Sequence, residues 1–435
     1  MKALILDNDD NADSACGIDL AVRGEAAGHK VRYCATPGSG PWGDGMIDKV
    51  EEWEPSMDWA DLVILTGNSK YAESLAPYFG KGYPIFGTNS KAAELELDRA
   101  HGQKVLADVG INTLPYHTVE SVDSAISLVR KRKKAFAIKP WGGTADKAMT
   151  CVARDADEAV FMLERWKEKG LKGQLMLQEK VDGIEMGIAA WFGPHGFSEC
   201  LEESFEHKKL CNDDLGCNTG EMGTVIRHVK SSRLFDRVLA PMEEYLHECN
   251  YIGDCNVNCI IDEDGNPWPL EFTMRLGWPD FCIRQPLIVG DPLEWMADLV
   301  HGKDTFETFD EIALGILIVH GDFPYGKDGK EAWDGFPIAG IGKTALPYVH
   351  FQMVREGAYE SAEGRKTGIL TAGKYLMVVS GTGETVMEAQ ERAYDVAWKI
   401  QMPSNTMFRT DIGDRLRADL PILHRLGYAR GMDFT

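Results

Sequence analysis

The chain has no apolar run long enough to cross a bilayer. Its longest clean stretch, residues 313–319, falls far short of the ~20 residues a membrane helix needs. The first residues, MKALILDNDDN, turn acidic at once and lack the charged-then-apolar layout of a secretory leader. A soluble, cytoplasmic protein with no membrane partner is therefore expected. Positive charge is also short: 46 Lys and Arg stand against 68 Asp and Glu, a formal net charge of −22. A protein that wraps a nucleic-acid polymer needs a basic face, so that class is excluded, although a local basic pocket for a nucleotide phosphate is not. Ten cysteines include no CxxC pair and no His–Cys cluster at zinc spacing, and 11 histidines form no HExxH, which argues against structural metal. The turn after the first expected strand, 7–11, lacks a dinucleotide fingerprint. The one literal GxGxxG, 38–43, follows the second strand, holds Pro41, and reads as a loop. Internal repeats and low-complexity segments are absent.

What is there is ordinary globular composition, with 44% apolar and 26% charged residues. A chain of 435 residues accommodates two to four domains at ~100–200 residues each. Over the first hundred residues short apolar strands (2–6, 30–34, 62–66, 84–86) alternate with helical stretches (12–27, 71–79, 90–98), the signature of a parallel sheet covered by helices. Residues 100–305 mix the two. A helix near 122–132 ends in the basic run 130–134, read as a solvated helix end, and leads into a strand at 135–139. A helix at 156–169 and strands at 175–179, 186–192 and 197–203 follow. A long polar loop is expected over 206–223, then a helix at 234–248 and a strand pair, 255–262 and 268–274. Strands at 314–320 and 374–380 and a helix at 385–400 complete the pattern.

Three elements carry candidate chemistry. Lys139 leaves a strand and enters the glycine-bearing loop 141–147, which ends in Lys147; two ammonium groups and loop N–H groups can converge on a phosphate. The stretch 178–185, Gln-Glu-Lys-Val-Asp-Gly-Ile-Glu, offers Glu179 and Glu185 to an adenine amino group and ribose hydroxyls, although any hairpin can look the same. On the strand 270–275, period-two geometry sets Glu271, Thr273 and Arg275 on one face. A carboxylate, a hydroxyl and an arginine suit a magnesium–triphosphate group, and Asn258 on the neighbouring strand is aimed at the same metal. A strand with one wet face is the plain alternative.

The order of these elements resembles that of ATP-grasp enzymes, and within them the phosphoribosylamine–glycine ligase (glycinamide ribonucleotide synthetase) family. Residues 87–99, GTNSKAAELELDR, are similar to that family's GPxxxAAxLExSK, with Arg99 in place of the lysine. Glu206-His207-Lys208-Lys209 and Asn218-Thr219-Gly220-Glu221-Met222-Gly223 resemble its DHKR…NTGGMG. Residues 271–280, EFTMRLGWPD, resemble EFNCRFGDPE, and 408–415, FRTDIGDR, resemble YRxDIGxR. The resemblance implies an N-terminal α/β pre-ATP-grasp domain (1–98), an ATP-grasp domain of two α+β subdomains (99–305, its lid about 117–182), and a small C-terminal α+β domain (306–435). It implies an ADP-forming C–N ligase that uses ATP with Mg²⁺ or Mn²⁺ to phosphorylate the carboxylate of glycine, after which an amine attacks the acyl phosphate. Arg99, Lys139 and Lys147 would then face the triphosphate. Gln178, Glu179, Val181 and Glu185 would hold the nucleoside, and Glu271, Thr273 and Asn258 the metal. Arg275, Lys208, Asn218, Thr219 and Gly220 would face the reacting groups. His207, Asp280, Arg409, Asp411 and Arg415 would lie on the substrate side with Asp9 and Asp10. A monomer or homodimer is expected.

The sequence departs from that family in informative places. Where the family has GGREHA near its ribose phosphate, four of the residues 7–13 are aspartates here. Such a loop repels a phosphate and suits a cationic or polyhydroxyl amine, although Arg409 and Arg415 offer a phosphate another hold. Thr273 replaces the metal-binding asparagine, Asp146 and Ala148 replace lid glycines, Pro269 interrupts a strand, and Trp278 replaces an aspartate. Three readings follow: a glycine–phosphoribosylamine ligase making glycinamide ribonucleotide, the same chemistry on another amine or amino acid, or a nucleotide-binding protein without turnover.

Overall fold

The computed structural model describes residues 1–8, 16–36, 40–141, 150–321, 323–324, 334–403 and 405–435. The chain opens with alternating strands and helices: β1 (Lys2–Asn8), α1 (Cys16–Ala26), β2 (Lys30–Thr36), α2 (Glu54–Met57), β3 (Leu62–Leu65), α3 (Ala72–Phe79) and β4 (Ile85–Phe86). The strands form a wholly parallel sheet in the order β2-β1-β3-β4, as the alternation predicts. Leu4, Leu6, Val63 and Leu65 bury one of its faces, and Ala3, Ile5, Leu62 and Ile64 the other. Helices α4 (Ser90–Leu97) and α5 (Arg99–Asp108) follow almost without a gap. Asn89 caps the first by accepting the Ala92 N–H. Asp98, extended at ψ 92°, breaks the helix and caps the second through the Ala100 and His101 N–H groups. That break places Arg99 at the start of a helix.

A second, antiparallel sheet is built from β5 (Tyr116–Val119), β6 (Phe136–Trp141), β7 (Cys151–Val152) and β8 (Gln174–Glu179), in the order β5-β8-β6-β7. Helices α6 (Val122–Arg132) and α7 (Ala156–Glu168) cover it. Val129, Phe136, Ile138, Leu163, Trp166 and Leu177 belong to a core of its own. The basic run behaves as a helix end: α6 stops at Arg132, Lys133 is left-handed (φ 54°), and Arg130 and Lys134 pair with Glu164 and Glu179. Cations there complement the helix dipole.

The largest sheet has eight strands. Its members are β9 (Ile184–Gly193) and β10 (Gly196–Glu206), then, after a hairpin of β11 (Lys209–Cys211) and β12 (Leu215–Asn218), β13 (Gly223–Val229). The segment 206–223 is thus a hairpin with a turn rather than the expected polar loop. Among the described residues β11 and β12 pair only with each other. The helix expected over 234–248 is divided into α8 (Arg233–Val238) and α9 (Glu243–Glu248), because Pro241 supplies no N–H to continue the ladder. Strands β14 (Gly253–Ile261) and β15 (Pro267–Thr273) and helices α10 (Asp280–Arg284) and α11 (Pro292–Val300) come next. Then follow β16 (Ile312–Val319), β17 (Val349–Phe351), the separate hairpin β18 (Val354–Ser361) with β19 (Gly364–Thr371), β20 (Tyr375–Gly383), α12 (Val386–Ala397) and α13 (Leu416–Leu426).

The order is β15-β14-β9-β10-β13-β16-β20-β17. Strands β16, β17 and β20 of residues 306–435 therefore extend this same sheet, while the β18–β19 hairpin stands apart. Pro269 is accommodated because β15 is the edge strand, and the register slips opposite it, between Asn258 and Cys259; an edge tolerates a missing donor. Among the described residues no helix is long and apolar enough to cross a membrane.

Candidate functional site

Cross-strand register assembles the site. Glu271, Asn258, Gly187 and Ser204 are successive partners across β15, β14, β9 and β10, so their side chains share one face. Two residues along, Glu185 and Glu206 stand on that same face. Just beyond β10, Lys208 Nζ lies 3.1 Å from Glu185 Oε1, 3.0 Å from Glu206 Oε2 and 3.7 Å from Glu271 Oε1. Arg99 Nη2, from the start of α5, reaches Glu271 Oε2 at 3.1 Å. Asn258 Nδ2 donates to Glu206 Oε1 at 2.8 Å. One ammonium thus sits in a cup of three glutamates. Burial works against its charge, but Glu185, Glu206 and Glu271 outweigh that and hold it well above the usual lysine range.

The second sheet contributes the other wall. Lys139 on β6 is buried and donates to Gln178 Oε1 on β8 at 3.1 Å. Burial lowers its pKa to about 8; Glu271 opposes the shift, while Arg99 and Lys208 reinforce it. Lys139 therefore faces the glutamate cup across the gap between the sheets. Gln178 Nε2 is buried with no acceptor. A buried ammonium beside an amide donor without an acceptor fits an anionic, acceptor-rich ligand such as a nucleoside triphosphate. The divalent ion also fits: Glu271 lies beside the buried Asn258 Oδ1, which has no donor, with Thr273 one strand repeat away. Magnesium at phosphates commonly takes one or two protein carboxylates and completes its shell with phosphate and water.

The other predicted residues are placed as follows. Glu179 bonds Lys134 through its side chain, and its N–H donates to the Pro115 carbonyl; Val181 lies in the link between β8 and β9. Arg275 Nε lies 3.3 Å from Glu96 Oε1, whose other oxygen accepts the Met274 N–H. Thr219 is fastened to the Lys208 carbonyl through its N–H and hydroxyl. Asn218 Nδ2 reaches the Thr150 carbonyl at 3.4 Å, so the hairpin touches the second sheet. Gly220 lies in the turn between β12 and β13.

Four substrate-side expectations are redirected by the packing. Arg409 is buried and spends its donors on Asp411, Asp214 and the Lys209 carbonyl, so it and Asp411 clasp the hairpin to the C-terminal segment instead of meeting a phosphate. His207 is buried, with a pKa lowered to about 3 by burial and by Arg415 and Arg409; its neutral ring accepts the Gly413 N–H. Asp280 pairs with Arg284 at 2.9 Å. Arg415 is more open and donates to the Glu206 carbonyl. Asp9, Asp10 and Lys147 lie outside the described residues. Trp278, at the former aspartate position, donates its indole N–H to Gln352 on the C-terminal side.

Glu206 and Glu96 were missed as site residues. The alternation Glu202-Ser204-Glu206 along β10 was the available signal, hidden because the strand was expected to end at 203. Asp7 was visible only as one acid among four; it is buried and accepts from the Tyr33 and Thr66 hydroxyls.

The same build recurs among solved structures. Phosphoribosylamine–glycine ligase from Thermotoga maritima superposes with a TM-score of 0.69 at 19% identity, over 95% of this chain and 100% of that one. The biotin carboxylase domain of Hydrogenobacter thermophilus 2-oxoglutarate carboxylase, solved with MgADP and bicarbonate, gives 0.62 at 14% identity over 99% of both. N5-carboxyaminoimidazole ribonucleotide synthetase from T. maritima gives 0.58 at 12% identity, over 92% of this chain and 99% of that one. These likenesses are of fold alone.

Residues 98–281 match the family described as phosphoribosylglycinamide synthetase, ATP-grasp (A) domain. Phosphoribosylamine–glycine ligases of Salmonella typhimurium and Haemophilus influenzae are 27% and 28% identical, each over 77% of this chain and 78% of the relative. Over most of its length the chain is thus similar to phosphoribosylamine–glycine ligases.

Proposed function

We propose that the protein is an ATP-dependent, ADP-forming carboxylate–amine ligase that joins glycine to phosphoribosylamine, giving glycinamide ribonucleotide. The observation that carries this reading is the juxtaposition, across one gap, of Lys139 with the Lys208–Glu185–Glu206–Glu271 cup and Arg99. Carboxylate and triphosphate are both anions and must be neutralised before they meet. Lys139 and Arg99 lower that repulsion on the triphosphate, and Lys208 and Arg275 on the carboxylate. Magnesium (or manganese), held by Glu271 with Asn258 and Thr273, supplies further neutralisation of phosphate oxygens when bound. A carboxylate oxygen attacks the terminal phosphorus and ADP departs. The amine nitrogen then attacks the acyl carbon, phosphate leaves, and the amine gives up its proton. Water would hydrolyse the acyl phosphate, so the second sheet acts as a cover. In this reading residues 1–98 carry the amine and 99–305 the nucleotide, with 117–182 as lid. Residues 306–435 buttress the cup through the Arg409 clasp. The setting is cytoplasmic, the partners are small molecules, and the protein works as a monomer or homodimer.

A second reading keeps the chemistry and changes the amine. The acidic segment after β1 favours it, since carboxylates at a strand's C-terminal end repel a ribose phosphate. One experiment separates the two: ADP release from ATP, Mg²⁺ and glycine, with and without phosphoribosylamine generated in place. ADP formed only with both partners supports the first reading. ADP formed with glycine and another amine, but not with phosphoribosylamine, supports the second. Nucleotide binding without ADP in any mixture, including a panel of other amines and amino acids, overturns both and leaves a non-catalytic binder.

A further inference from the structure

Most carboxylates lining the cleft have a cation or donor within hydrogen-bond reach; Glu221 Oε1 does not. It follows directly on Asn218-Thr219-Gly220 at a position where the motif this segment resembles has glycine. Its side chain is only 3% exposed, and no donor reaches its Oε1. The charged groups facing it are Glu206, Asp280, Glu185 and Lys208. Lys208 is spent on the cup described above. Asp280, also buried, gives one oxygen to Arg284 while its Oδ1 has no donor. Ser204 Oγ, two residues before Glu206 on β10, is buried without a partner too. What these oxygens lack is donors.

Leaving a carboxylate buried and unmet is costly, and more so beside other carboxylates. A ligand that completes the corner must be cationic and rich in donors. An ammonium group has three N–H donors and no acceptor. A divalent ion suits the corner less well. Among the described residues no group of three or more His, Cys, Asp or Glu is arranged to hold a metal, and magnesium demands a near-octahedral oxygen shell.

We propose that Glu221, with Asp280 beside it, receives the ammonium group of a zwitterionic amino-acid substrate whose carboxylate lies toward Lys208 and Arg275. This rests on the ligase reading for the location of the reacting carboxylate and adds what that reading leaves open, namely how an amino acid is told from a plain carboxylic acid. Burial, with Glu206 and Asp280, raises the Glu221 pKa well above the carboxylate range. A bound ammonium would act in the opposite sense and favour the carboxylate.

The test is calorimetric titration of the whole protein, preloaded with a non-hydrolysable ATP analogue and Mg²⁺, using glycine and its near-isostere glycolate as probes. Wild type should bind glycine far more tightly than glycolate. Glu221→Gln should weaken glycine at least ~30-fold, the scale for losing one partner of a buried charge pair. It should leave glycolate unchanged, and Glu221→Asp should restore part of the glycine affinity. Circular dichroism and analogue affinity verify that the variants are folded. Wild type that binds glycine no better than glycolate, or a folded Glu221→Gln that binds glycine as wild type does, overturns the proposal whatever the ADP assay returns. Absence of ADP release with intact glycine discrimination would instead fault the ligase reading and leave this site standing.

Discussion

Two clusters on the same face of the long sheet share a formula, one cation among three carboxylates, and differ in everything else. In the first, Arg284 meets Glu202 at 3.2 Å, Asp280 at 2.9 Å and Asp254, with its guanidinium 4.5 Å from the centre of the Trp191 ring. In the second, Lys208 meets Glu185, Glu206 and Glu271. The arginine side chain is 2% exposed and the lysine 31%. A planar guanidinium forks between fixed carboxylates and cannot give up its charge. A lysine is a point charge on a flexible stem, and water reaches this one. The sealed cluster is suited to holding α10 against the sheet, and the open one to exchanging its cation for a ligand's.

That contrast fails if the two cations are equally dispensable. Arg284→Ala leaves three buried carboxylates uncompensated and should cost about 3–5 kcal/mol, read as a fall in the urea midpoint. Lys208→Met exposes its glutamates to water and should cost about 1 kcal/mol. Equal losses would mean that the Lys208 cup is structural too. Activity should reverse the order: Lys208→Met and Glu271→Gln each lose roughly a hundredfold in kcat, the scale for removing one transition-state charge contact, while keeping the wild-type far-ultraviolet dichroism. Turnover that survives in both variants would move the reacting centre elsewhere.

A finer discrimination uses magnesium without nucleotide. In wild type the ammonium neutralises the glutamate cup, so a divalent ion must displace it. In Lys208→Met the cup is vacant and more anionic, and ligand binding raises the melting temperature by mass action. The Mg²⁺-induced rise in Tm should be larger in Lys208→Met than in wild type, and absent when Glu271→Gln is added. An equal rise in all three proteins would show that the ion binds away from the cup.

Sequence patterning reached one of these clusters and not the other, for a physical reason. The Lys208 cup draws on stretches with a local signature: an acidic turn at 178–185, a lysine among acids at 206–208, and a period-two strand at 270–275. Arg284 draws its partners from β10, β14 and α10: Asp254 and Asp280 are each the one acid of their element, and Glu202 is one of four on β10. Only the sheet order brings them together. The parallel sheet at the N-terminus was legible for the same reason, since strand–helix alternation is local. Pairing of β13 with β16 spans more than eighty residues and left no trace in composition. Arg409 and Asp411 misled in the opposite sense. Two residues apart and charged, they looked like a binding motif, and they bind each other.

The smallest effect expected concerns Lys139, which lies across the gap from the Lys208 cup. With its pKa lowered to about 8, it is charged below that value and neutral above it. A triphosphate is drawn to the charged form alone. ATP affinity should therefore be flat up to about pH 7 and weaken as pH rises through 8, by up to ~10-fold per unit where Lys139 is the linked group. Bound phosphate oxygens favour the ammonium, so the dependence should shift to higher pH in the complex. Because the free protein sets the onset, fluorescence titration with an ATP analogue at fixed Mg²⁺ should show it. Lys139→Met should bind more weakly at neutral pH and lose the slope between pH 7 and 9, and its curve should meet the wild type's on the alkaline side. A slope that persists in Lys139→Met would assign the titration to another group and detach Lys139 from the phosphates.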